Sequence, residues 1–172
     1  MKNKYFVLLV AGSVLSGGVA FAAAGTAVIN GTAPDSKVAG KVFLTDTPEG
    51  LKIEANFMSV SPGKHGFHIH ENGACGEEGK AAGGHFNPDK APHGLLSKDG
   101  MGHAHAGDFG NVEIAADGTG KFEAVEKGLT LTPGDHSVAG KAFILHEKED
   151  DFGQPTGNAG GRIGCGVIEV TE

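Results

Sequence analysis

Residues 52–60 read Lys-Ile-Glu-Ala-Asn-Phe-Met-Ser-Val. Ile53, Ala55 and Phe57 fall on one face, and Lys52, Glu54 and Asn56 on the other. That is the period-two signature of a half-buried strand. Turn signals bound it: Asp46-Thr47-Pro48-Glu49-Gly50 before and Ser61-Pro62-Gly63 after. Outward from it, the same reading predicts strands over 27–29, 38–44, 66–71, 111–115, 121–125, 138–146 and 165–170. Asp117-Gly118 joins two of these as a hairpin, and Thr132-Pro133-Gly134-Asp135 is a further turn. With about eight strands and no amphipathic helix, the chain reads as all-β, an eight-stranded Greek-key β-barrel or sandwich.

The composition agrees. A chain of 172 residues is one domain's worth of material, and its 30 Gly serve turns and loops. The Gly has no three-residue period, which excludes collagen. With 39% hydrophobic and 20% charged residues, the chain is neither disordered nor a multi-span membrane protein. A net charge of −7 argues against duplex nucleic acid as a partner.

The first 24 residues read as a secretory signal. Lys2 and Lys4 precede an apolar run from Tyr5 to Ala20, and small residues then allow cleavage after Ala22 or Ala24. The domain proper is expected over 25–172, with no membrane association once the signal is cut. Cleavage removes two Lys and no acid, taking the formal charge from −7 to −9. In an oxidising compartment Cys75 and Cys165 are expected to form a disulfide rather than stay free.

Residues 72–110 and 147–164 fit no strand and are long enough to be functional loops. The histidines give them a purpose. In Gly66-Phe67-His68-Ile69-His70, the two His share a strand face while Phe67 and Ile69 turn into the core. His85, His93, His105 and Asp108 follow, a donor set suited to tetrahedral Zn²⁺. His146 ends the apolar run Ala142-Phe143-Ile144-Leu145, where it is either a capped core residue or a further ligand. Imidazole-rich, thiolate-free ligation suits Cu²⁺ and Zn²⁺ over Mg²⁺ or Ca²⁺.

Four segments carry a resemblance. Gly66-Phe67-His68-Ile69-His70-Glu71, Gly84-His85-Phe86-Asn87-Pro88, His105-Ala106-Gly107-Asp108, and Asn158-Ala159-Gly160-Gly161-Arg162 continuing to Cys165-Gly166-Val167-Ile168 resemble copper–zinc superoxide dismutase. The resemblance implies that His68, His70, His85 and His146 hold copper. It implies that His85, His93, His105 and Asp108 hold zinc, with His85 bridging the two ions. It assigns Arg162 to the incoming superoxide anion, Asp150 to a bridge behind His68 and His93, and Cys75 and Cys165 to the family disulfide. The implied reaction is dismutation of superoxide to dioxygen and hydrogen peroxide, with one copper cycling between Cu(II) and Cu(I) and one structural zinc per chain. His85 would take up a proton on reduction and return it.

Export points to a bacterial, periplasmic form. The 146–162 loop is shorter than in eukaryotic members, and the segments 75–85 and 93–105 are longer. Members dimerise through different faces, so a homodimer is expected with its interface open. The competing expectation is a non-catalytic periplasmic copper- and zinc-binding protein. Such a protein should have lost a copper ligand or the arginine, and all are present here.

Overall fold

The structure is a computed structural model describing residues 22–171. Most of the expected signal segment lies outside the described residues. Among the described residues no helix is long and apolar enough to cross a membrane.

Among the described residues nine antiparallel strands follow in chain order: β1 Ala24–Gly31, β2 Ala39–Thr47, β3 Gly50–Met58, β4 Gly63–His70, β5 Asp108–Ile114, β6 Gly120–Glu126, β7 Ala142–His146, β8 Arg162–Val167 and β9 Glu169–Thr171. Their order around the sheet is β2-β3-β6-β5-β4-β7-β8-β1-β9, and β1 also pairs with β2. That last pairing closes the sheet into a barrel and removes its free edges. β8 and β9 pair with successive parts of β1, so they count as one interrupted strand and the barrel has eight staves. The β3–β4 and β6–β7 connections each cross two strands, which makes the topology a Greek key.

The alternation that opened the reading holds at side-chain level: Ile53, Ala55 and Phe57 are buried in β3. They join an aromatic centre in which Phe67 stacks on Phe143 at 4.9 Å and meets Phe57 edge-on at 5.2 Å. Burying such a ring stabilises by roughly 1.5–3 kcal/mol.

Strand ends shift by up to three residues, as in β1 from Ala24, β2 to Thr47 and β4 from Gly63, and further departures have a local cause. The run 165–170 breaks at Ile168, whose main chain bonds to Lys141 and Gly140 instead of continuing the ladder. The run 138–146 forms a strand only from Ala142, because Gly140 at φ +71° turns the chain. β5 starts three residues early, at Asp108, which pairs with His68. A four-residue helix, α1 Leu96–Asp99, also appears in the first long loop.

Candidate metal centre

On β4 the side chains alternate as the sequence requires: Phe67 and Ile69 enter the core, and His68 and His70 face outward beneath the two long loops. His146 ends β7 beside them. The ladder slips next to both strands' ligands, between Gly66 and His68 and between Leu145 and His146. Such bulges re-aim a side chain at the rim of a barrel.

The loops complete the cluster. His70, His68, His85 and His146 bring one nitrogen each within 4.8 Å of one another, and so do His85, His93, His105 and Asp108 by one ligand atom each. His85 belongs to both groups, and all seven residues are buried. Its Nδ1 lies 2.7 Å from Asp108 Oδ1 and 3.3 Å from His105 Nδ1, so this nitrogen belongs to the group containing Asp108. Around a tetrahedral ion with bonds of about 2.0–2.1 Å, neighbouring ligand atoms stand roughly 3.3 Å apart. The second group is therefore the size of a zinc site.

The polar accounting also fits metal ions. Nδ1 of His68, of His93 and of His146 are buried without a hydrogen-bond partner. His93 Nδ1 stands 2.8 Å from Asp108 Oδ2 without hydrogen-bond geometry. A ring nitrogen and a carboxylate oxygen this close without hydrogen-bond geometry are what a shared cation resolves. His70 Nε2 and His146 Nε2 face each other at 3.4 Å in the first group.

The second nitrogens are spoken for. His68 Nε2 donates to Asp150 Oδ2 at 2.8 Å, and His70 Nδ1 donates to the Gly83 carbonyl at 2.9 Å. His93 Nε2 reaches the same Asp150 carboxylate at 3.0 and 3.1 Å. Asp150 thus stands behind one residue of each group, the arrangement that orients ligand rings. Asn111 grips Asp150 from both sides, donating to its carbonyl at 2.9 Å and accepting its N–H at 2.7 Å. Gly157, at φ +79°, packs against this carboxylate, where a Cβ would collide with Asp150 and the His93 ring.

Electrostatics divide the site. Burial, then the neighbouring His85, Arg162 and His146, pushes His70 down to about 2. Burial, then His68 and His85, pushes His146 down to about 3. Burial pushes His85 down to about 4, against the pull of Asp108. These three rings are neutral at neutral pH, with lone pairs free. Burial opposes charge on Asp108 and Asp150 as well, but the His rings bonded to each outweigh it and hold both carboxyls well below the usual carboxylate range. Burial alone would lower His93, yet Asp108 and Asp150 on either side raise it to about 9. The region around Asp108 is therefore the anionic half of the site, suited to a divalent cation.

Arg162 opens β8 beside the first group. Its guanidinium donates to the Gly79 carbonyl at 2.7 Å and the Gly83 carbonyl at 2.6 Å. It lines a cavity of about 370 Å³ together with His70, His85 and His146. The disulfide Cys75–Cys165, with Cα atoms 5.7 Å apart, ties the loop bearing those carbonyls to β8.

The family model for copper/zinc superoxide dismutase matches residues 38–168. The chain belongs to the copper/zinc superoxide dismutase family. Among solved structures, a crystal structure of the clock protein EA4 superposes with a TM-score of 0.77 at 31% identity, covering 91% of this chain and 100% of that one. The barrel thus brings the seven candidate donors, Asp150 and Arg162 close together.

Three histidines stay out of both groups. His103 is exposed, and His136 pairs with Asp89 at 2.8 Å. His65 is buried between the carbonyls of His146 and Ser61, at 2.8 Å from each. The sequence reading missed Asn111 and Gln154 as residues of the site. In the sequence Asn111 reads only as the start of a strand, and Gln154 carries no signal at all.

Proposed function

We propose that the protein is an exported, bacterial-type superoxide dismutase that holds one copper and one zinc per chain. The observation that carries this reading is the sharing of His85 between two buried donor groups of different charge. The neutral group of His68, His70, His85 and His146 would hold copper. The anionic group of His85, His93, His105 and Asp108 would hold zinc. Copper supplies a one-electron couple, and zinc, having no redox chemistry, fixes His85 and the loop.

The chain's own residues do the rest. Two superoxide anions and two protons become dioxygen and hydrogen peroxide. Arg162 binds each incoming anion at the cavity floor, its charge fixed in place by the Gly79 and Gly83 carbonyls. The mature chain carries a formal −9, so this lone arginine supplies the local attraction that the whole protein lacks. His85 Nε2, facing away from Asp108, is the atom that takes up and returns a proton. The buried rings of His70 and His146 flank it.

Export rests on the basic, apolar N-terminus and on the Cys75–Cys165 disulfide, which suits an oxidising periplasm. Cleavage after Ala22 is favoured over Ala24. The Ala23 carbonyl accepts the Asp46 N–H at 2.8 Å, and Ala24 pairs with both Thr45 and Thr171. Titration of the metal-depleted chain tests the binding half of the proposal. One copper and one zinc per chain support it, and loss of both stoichiometries is expected in His85→Ala. Binding of a single ion at saturation would overturn it.

A further inference from the structure

His93 lies on irregular chain between the Asn87 turn and α1, with no strand ladder to hold its main chain. One side chain does so instead. Gln154 Oε1 accepts the His93 N–H at 3.0 Å, and Gln154 Nε2 donates to the His93 carbonyl at 2.8 Å. A single carboxamide therefore occupies both main-chain groups of one candidate zinc ligand.

Gln154 belongs to the loop that carries Asp150. That loop holds His93 at two ends, the ring through Asp150 Oδ1 and Oδ2 and the main chain through Gln154. The segment around Gln154 is closed on itself: Gly157 N–H donates to the Gly153 carbonyl at 2.7 Å, and Asp151 N–H donates to the Gly157 carbonyl at 2.9 Å. The Asp150 end does not depend on Gln154, because Asn111 grips Asp150 separately. The two holds can therefore be separated by mutation. The ring hold fixes the tilt of the imidazole. The main-chain hold fixes how far the His93 Cα, and with it Nδ1, can withdraw from Asp108.

We propose that Gln154 is a positioning residue for the zinc group, setting how long the ion stays by locking the His93 main chain to the Asp150 loop. This rests on the reading that His85, His93, His105 and Asp108 hold zinc. Removing a partner that orients a metal ligand typically costs 10–100-fold in metal affinity.

The test uses the chain loaded with copper and zinc and a chromogenic chelator. Gln154→Met keeps length and bulk while removing both hydrogen bonds, and Gln154→Ala removes the side chain. Zinc is expected to leave both variants roughly tenfold faster than wild type. Copper should leave at the wild-type rate, because His68 stays tied to an Asp150 that Asn111 still holds. Cobalt(II) placed in the zinc group should show an altered visible spectrum in Gln154→Met. Wild-type zinc release in both variants would overturn the proposal, as would equal acceleration of copper and zinc, the mark of general loosening. A wild-type chain that takes up no zinc would overturn the underlying reading and this proposal with it.

Discussion

Asp150 Oδ2 accepts a hydrogen bond from His68 Nε2 at 2.8 Å, with both side chains fully buried. The same carboxylate meets His93 Nε2, so one residue of the short loop stands behind both donor groups. Asp150→Ala leaves two buried ring nitrogens without acceptors. We expect copper and zinc affinity each to fall 10–100-fold, measured by competition with calibrated chelators. Unchanged affinities would remove Asp150 from the account.

Arg162 is the only arginine in the chain, and its guanidinium rests on two carbonyls of the disulfide loop. Arg162→Ala should slow superoxide consumption by about tenfold or more at low ionic strength, with both metals still bound. The rate of the variant should also respond less to salt. Stopped-flow decay of superoxide alongside metal counting checks both statements.

Gly157 turns at φ +79° against Asp150 and His93. Gly157→Ala forces a side chain into that contact at a backbone conformation that Ala adopts reluctantly. A loss of about 1–3 kcal/mol is expected by thermal or denaturant unfolding of the loaded protein. Gly134→Ala, with open space around the new Cβ, is the matched control and should change little.

Glu126 ends β6 on the inward face, is 2% exposed, and has no hydrogen-bond or ion-pair partner among the described residues. Burial raises its carboxyl from the ordinary 4.5 to about 7. Its folded-state affinity for a proton thus exceeds that of the unfolded chain. Stability is fully present below about 4.5 and is lost as pH rises towards 7, by roughly 3–4 kcal/mol at most. Glu126→Gln should flatten that part of the stability–pH curve. A curve of unchanged slope in the variant would assign the loss elsewhere.

The strand framework was legible in the sequence for local reasons, whereas the candidate donors were legible only in part: His146 read equally as a capped core residue, and the resemblance set it with the others. Ile53, Ala55 and Phe57 alternate on one strand, and His68 and His70 share a face by the same period. What escaped was set by tertiary contact. The run from Cys165 to Val170 carries no turn signal, so nothing in it marks Ile168 as the break; the main chain of Lys141 makes that break. Val138 and Ala139 look like strand, but Gly140 turns the chain before the ladder begins. Gln154 is an exposed polar residue on an irregular loop, and only the folded chain sets it against His93.

The most direct test is superoxide dismutation by the purified chain carrying one copper and one zinc, with metal counted in the same sample. The account predicts rapid catalysis, lost in His85→Ala and slowed in Arg162→Ala. A wild-type chain that holds both ions at full occupancy and leaves superoxide decay at its spontaneous rate would contradict it, and the protein would then be a metal-binding member of the family without the activity.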